Sequence, residues 1–186
     1  MVISPQEILD FWFKECSYQD WFKARPSFDE ILIERFSDIN DVATNGGCDD
    51  WASYPKGCLA LIIVLDQFTR NIFRGKAEAF KNDQSALRWT KFAIEEKYMD
   101  AYTSKEVHIC LLPLIHSENL ADHRIADELG VKLLSRHPRY RKIKKTWDDH
   151  RVPIERFGRY PHRNNALGRE STAEELTFLN GPNSSW

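Results

Sequence analysis

The apolar residues of this chain recur at three- and four-residue spacing and almost never alternate, and that rhythm restricts the folds open to it. Ile31, Phe36 and Ile39 make one such stretch; Leu87, Phe92, Ala93 and Ile94 make another. Side chains return to one face of a helix about every 3.6 residues and to one face of a strand every second residue, so the pattern predicts amphipathic helices. The run Leu59-Ala60-Leu61-Ile62-Ile63-Val64-Leu65 has the composition of a buried strand. It continues through Asp66-Gln67-Phe68-Thr69-Arg70-Asn71-Ile72-Phe73 without a turn residue, which gives a segment of helical length. A central helix is expected there.

Helix starts are written as a serine with a glutamate three residues on, the reciprocal arrangement in which each side chain caps the other's backbone N–H. Ser4/Glu7, Ser27/Glu30 and Ser171/Glu174 fit it, and Pro5 stands at a first helical position, where its missing N–H costs nothing. Breaks fall near Asn45-Gly46-Gly47, Arg74-Gly75, His137-Pro138 and Tyr160-Pro161, leaving about seven or eight helices joined by short loops. No exact internal repeat is present. The expected fold class is all-α, an array of helical hairpins in a single domain over residues 1–186.

With 42% hydrophobic residues and six Trp, 186 residues can bury a core without staples or metals. The formal charge of −2 excludes a bulk attraction to nucleic acid, so any such attraction must be local. Cys16, Cys48, Cys58 and Cys110 form no CxxC pair and no zinc-like spacing with the histidines, which points to reduced core thiols. The opening Met1-Val2-Ile3-Ser4-Pro5 lacks the basic and apolar regions of a signal peptide, and the longest apolar run, 59–65, is about a third of a membrane span. A cytoplasmic location without membrane attachment is expected.

Four groups of residues are candidates for chemistry. Asp66 projects from the apolar face of the central helix, with Arg70 four residues on, where two helical side chains meet. Either the two form a buried ion pair or Asp66 contacts a ligand or metal. Glu118 and Asp122 lie one helical turn apart and repel unless a cation stands between them; Mg²⁺ or an arginine would serve. His116 is a candidate acid/base residue, because imidazole exchanges a proton near neutrality, or else it closes a helix end by a hydrogen bond. His150 falls in the stripe Ile143, Trp147, His150, Ile154 and Phe157, which reads as core, with Pro153 crowding the same helix.

The largest compositional signal is charge asymmetry. Residues 136–169 hold eleven Lys and Arg against Asp148, Asp149 and Glu155, a net of +8 that leaves −10 for the rest of the chain. The end of that segment, Arg156-Phe157-Gly158-Arg159-Tyr160-Pro161-His162-Arg163-Asn164, mixes guanidinium forks, aromatic faces and an imidazole. Such groups suit capture of phosphate or carboxylate. The competing expectation is that these arginines, with Arg169, clamp acidic helices inside the protein.

Read in order, Phe11-Trp12-Phe13, Trp21-Phe22, Asp29, Arg35-Phe36, Leu65-Asp66-Gln67-Phe68-Thr69-Arg70-Asn71, Leu112-Pro113-Leu114-Ile115-His116-Ser117-Glu118 and the 156–164 segment resemble the bacterial domain-of-unknown-function 924 family. The resemblance continues through Leu167-Gly168-Arg169-Glu170-Ser171-Thr172, Glu175 and Ser184-Ser185 with the terminal aromatic Trp186, and so spans nearly the whole chain. It differs at Pro153, where the family more often has a helix-compatible residue, and at Thr69, where it more often has proline. The resemblance implies a tetratricopeptide-repeat-like helical fold and, from some members, magnesium-dependent cleavage of RNA phosphodiesters.

Carried to this chain, it makes Asp66, Glu118 and Asp122 the metal candidates, with His116, Glu118 and Asp66 catalytic. Arg70, Arg159, His162, Arg163, Asn164 and Arg169 become the substrate-binding set. Two functions follow as expectations. One is a Mg²⁺-assisted, RNA-directed phosphodiesterase. The other is a non-catalytic helical module whose partner is an anionic peptide, metabolite or protein. Within the basic segment, His162, Arg163 and Asn164 are favoured for ligand contact, because a Pro-led loop is expected to face solvent more than the helix-borne Arg156 and Arg159.

Overall fold

A computed structural model describes residues 3–185 of the chain; Met1, Val2 and Trp186, the last being the aromatic of the terminal match, lie outside the described residues. Among the described residues there is no strand, and nine helical runs follow one another. They are α1 (Pro5–Asp10, continuing as a π-helical turn Phe11–Glu15), α2 (Tyr18–Phe22), α3 (Pro26–Thr44) and α4 (Pro55–Ile62, a π-helical stretch Ile63–Phe68, then Thr69–Ile72). They continue as α5 (Asp83–Glu95), α6 (Ser104–His116), α7 (Leu120–Leu134), α8 (Tyr140–Phe157) and α9 (Ala173–Leu179). The run not foreseen in the sequence is the five-residue α2, too short for its spacing to announce it. Contacts divide the chain between Pro113 and Leu114 into two compact units.

In the first unit α4 is the expected central helix, and Gly57 through Thr69 are all buried. It packs against α1, α3 and α5. Its π-helical stretch is centred on one carbonyl. The Val64 carbonyl accepts from the Thr69 N–H five residues on, from the Thr69 hydroxyl at 3.2 Å and from the amide of buried Asn40 on α3 at 3.0 Å. A side chain inserted into the helical ladder widens it by one residue. Thr69 is therefore more than a helix-tolerant substitute for proline: its hydroxyl also accepts from Asn82 at 3.0 Å, tying α4 to the start of α5.

Capping follows the sequence at one of the three expected starts and departs from it at two. Ser4 and Glu7 form the reciprocal box, with the Glu7 carboxylate 2.8 Å from the Ser4 N–H. At the second, α3 begins at Pro26 with Arg25 before it and no side-chain cap, because the preset φ of Pro26 takes the first helical position and places Ser27 inside the first turn. At the third, the box is Thr172/Glu175 rather than Ser171/Glu174, one residue later. Ser-Thr followed by Glu-Glu allows either register, and Arg159 selects the later by holding Glu175.

The second unit is built on α7 packed against α8. Ile143, Trp147, His150 and Ile154 are buried along α8 as their spacing predicts, and the helix runs unbroken through Pro153. Gly130 of α7 lies so close to Trp147 that an added Cβ would sit 2.7 Å from the indole ring, so only glycine allows this approach. Gly158 ends α8 in the left-handed region, at φ 68°, and its N–H closes on the Ile154 carbonyl. From there the chain turns through Pro161–Arg163 toward α9.

Candidate functional site

One of the expected groups lies in the first unit and the others lie in the second. In the first, the Asp66–Arg70 pair forms, at 3.3 Å, and Asp83 at the start of α5 meets the same guanidinium at 2.8 Å. Asp66 also accepts from the Gln67 amide. Burial lowers the pKa of Arg70 while the two carboxylates raise it, and the carboxylates prevail, so the ion pair stays charged. Asp83, thirteen residues from Arg70, has no helical periodicity with it that would have revealed the contact in the sequence.

In the second unit the basic segment folds back onto the carboxylates. Arg169 grips both oxygens of Glu118, at 2.7 and 3.0 Å, and the Tyr160 N–H donates to the same carboxylate at 2.8 Å. Burial raises the Glu118 pKa, but these donors outweigh it and hold the group below its ordinary value. Asp122, buried in the first turn of α7, accepts from the Ser117 hydroxyl at 2.6 Å. Arg159 forms a two-pronged pair with buried Glu175, at 2.7 and 2.9 Å, and this pair together with the Thr172 N–H depresses the Glu175 pKa to about 2. Asn164 is buried beside them and donates to Ser171 and Glu175.

The expectation that the Pro-led loop faces solvent is corrected by these contacts. Arg163 is 6% exposed and Asn164 fully buried, whereas Arg156 is exposed and Arg159 half-buried. The cause is that Arg163 lies over the Tyr160 ring, 4.4 Å from its centroid, and donates to the His116 carbonyl at 2.9 Å. The Tyr160 hydroxyl in turn donates to the Ile115 carbonyl. A loop whose arginine, tyrosine and asparagine all find partners inside the unit is drawn inward whatever its proline.

Around Tyr160 stand four imidazoles. His150, His123 and His162 lie 6.2, 6.4 and 5.3 Å from its ring, and His116 lies 6.5 Å from His150. His123 Nε2 donates to the Ser117 carbonyl at 2.9 Å and His150 Nδ1 to that of Thr146 at 2.7 Å, which leaves the opposite nitrogen of each as the lone-pair atom. Burial pushes the pKa of both rings down, that of His150 well below its ordinary value, and the neighbouring imidazoles add to the effect. His116 and His162 are half-exposed members of the same group.

As to metal binding, the oxygens of Glu118 and Asp122 are engaged by Arg169, Tyr160 and Ser117, and Asp66 by Arg70 and Gln67. Among the described residues no group of three or more His, Cys, Asp or Glu side chains is placed to hold a metal ion. The cysteines are free; burial pushes the Cys58 thiol up to about 12.

Cations that face outward lie in a stretch that the expected site did not include. Residues 129–147 contain seven Lys and Arg and no Asp or Glu. Lys144 pairs with Asp127 and Asp148, and Lys145 with Asp149. Lys132, Arg136, Arg139, Arg141 and Lys142 remain exposed at the end of α7, on the connector and at the start of α8. Their signal in the sequence is the acid-free window itself, which the wider 136–169 segment dilutes.

The sequence model of a family described as "Bacterial protein of unknown function (DUF924)" matches residues 8–183. A solved structure of a protein of unknown function from Agrobacterium tumefaciens is similar at 34% identity, covering 95% of this chain and 96% of that one, with a TM-score of 0.85. No functionally curated protein matches. Among the described residues, no helix is long and apolar enough to cross a membrane.

Proposed function

Because the chain belongs to this family of bacterial proteins of unknown function, we propose its role from its geometry: a non-catalytic helical module that binds an anionic partner at 132–142. One observation carries the reading. Arg70, Arg159 and Arg169 are paired with carboxylates inside their units, while Lys132, Arg136 and Arg141 of the acid-free window are exposed within ten residues of one another. Exposed cations clustered in this way raise the local potential and hold a polyanion by releasing its counterions. The module needs no reacting group, which agrees with His123 and His150 rings bonded to backbone carbonyls and with Glu118 and Asp122 already held by a cation and a hydroxyl.

Fluorescence anisotropy with labelled single-stranded RNA and with polyglutamate, across a salt series and in Mg²⁺ or EDTA, tests the proposal. Binding of a polyanion that weakens steeply with salt, is indifferent to EDTA and is lost in Arg136→Ala/Arg141→Ala is expected. Wild-type affinity in that double variant would sink it. Magnesium-dependent loss of intact RNA, absent in Asp66→Ala and Arg163→Ala, would instead favour the phosphodiesterase suggested by the family resemblance.

A further inference from the structure

The basic strip has a counterpart on the chain itself. Residues 27–53 carry seven acids and a single cation, Arg35, which is bound to Glu15 at 2.7 Å. Helical geometry sorts α3 into two faces. Phe28, Leu32, Phe36, Ile39 and Ala43 are buried, and on the opposite side Glu30, Ile31, Glu34, Asp38, Asp41 and Val42 are exposed. Glu30, Glu34 and Asp38 follow one another at four-residue steps, where like charges repel, and among the described residues Asp41 alone of these four acids has a cation nearby, Lys81 at 3.7 Å. Ile31 and Val42, 42% and 46% exposed, lie among these acids. The face extends about 18 Å along the helix.

We infer that the anionic partner of the strip 132–142 is this outward face of α3 on a second copy of the chain. The inference rests on the proposed role of the strip and names its occupant. Two features make the faces complementary. The charges are opposite and each is concentrated, so approach is steered and wrong registers are penalised. Each face also exposes a branched aliphatic side chain beside its charges: Ile31 and Val42 on α3, and Val131, 58% exposed, beside Lys132. An apolar centre ringed by polar groups is the ordinary anatomy of a protein interface. Glu30, Glu34 and Asp38, which make no ion pair among the described residues, then receive their cations from the neighbour.

Because the two patches differ, the contact is heterologous: each copy offers its strip to one neighbour and its α3 face to another. Association therefore closes into a ring or extends with concentration, and it weakens as salt screens the charges.

Sedimentation velocity of the full chain at about 0.02 M and about 0.5 M salt reads the prediction directly. Species larger than monomer are expected at low salt, reverting to monomer at high salt. Glu34→Lys/Asp38→Lys and Arg136→Glu/Arg141→Glu should each weaken association by ~10-fold or more. An equal mixture of the two variants should restore it, since each then meets an opposite face. All four substituted residues are exposed, and circular dichroism checks that the variants fold. A wild type that stays monomeric at low salt overturns the inference, as does association that either reversal leaves intact. If that monomer still binds polyglutamate or RNA through the strip, the second copy is the wrong partner and the proposed function stands. If Arg136→Glu/Arg141→Glu changes neither association nor polyanion binding, both fail.

Discussion

Between 129 and 147 seven Lys and Arg stand without an acid, and between 156 and 169 four Arg also stand without an acid, yet the two stretches use their charge differently. In the later stretch Arg159, Arg163 and Arg169 turn inward to Glu175, the His116 carbonyl and Glu118, and fix the path of the chain after α8. In the earlier one the two lysines within four residues of an aspartate are paired along α8, and five cations remain exposed. The contrast teaches that density of charge in a sequence does not mark a binding surface. What separates the cases is whether the fold brings carboxylates to the cations.

The comparison breaks first at Glu175. This buried carboxylate holds Arg159 and the Thr172 N–H and accepts from Asn164, so Glu175→Ala should cost about 3 kcal/mol in urea unfolding, because it removes several charge-assisted hydrogen bonds at once. Unchanged stability would mean the inward arginines clamp nothing. Next, Arg169→Ala should cost about 2 kcal/mol, less because Glu118 is only half-buried and water can reach it. Retention of the wild-type unfolding midpoint would remove Arg169 from the inward set.

The imidazoles around Tyr160 set a smaller, pH-dependent effect. His123 and His150 have folded pKa values below the ordinary 6.5, so as pH falls past that value the unfolded chain takes up protons that the buried rings refuse. Stability is therefore full above the unfolded value and falls as pH drops below it, by at most about 1.4 kcal/mol per pH unit for each ring. Unfolding midpoints measured from pH 7.5 to 5.5 check the sign. A flat profile would place both rings in contact with water.

The smallest stability effect belongs to the outward cations. Arg136→Ala/Arg141→Ala should move unfolding by no more than about 0.5 kcal/mol while shallowing the salt dependence of polyanion binding by about two phosphate contacts. A large loss of stability here would make the two stretches alike and end the distinction.

Much of the fold was legible along the chain. The π-helical detour of α4 was not, because it depends on Asn40 reaching Val64 across 24 residues. The α8 stripe and the Asp66–Arg70 pair were legible because both follow from positions three and four apart on one helix. The cap at Thr172 shows the limit: two registers were chemically equivalent locally, and Arg159 decided between them. The same limit applies to the candidate site. Composition picked out His162, Arg163 and Asn164, but a proline before them says nothing of Tyr160 and His116, which hold Arg163 inside.

By itself, then, the sequence determined the helices, their apolar faces and the total of opposite charges, since these depend on local geometry and on counting. Tertiary structure alone decided which charges distant in the chain meet. Ion pairs such as Glu118–Arg169, 51 residues apart, form only when the packing of apolar faces has brought their backbones together. Arg136 and Arg141 are exposed on the stretch 132–142, the surface on which the function is proposed.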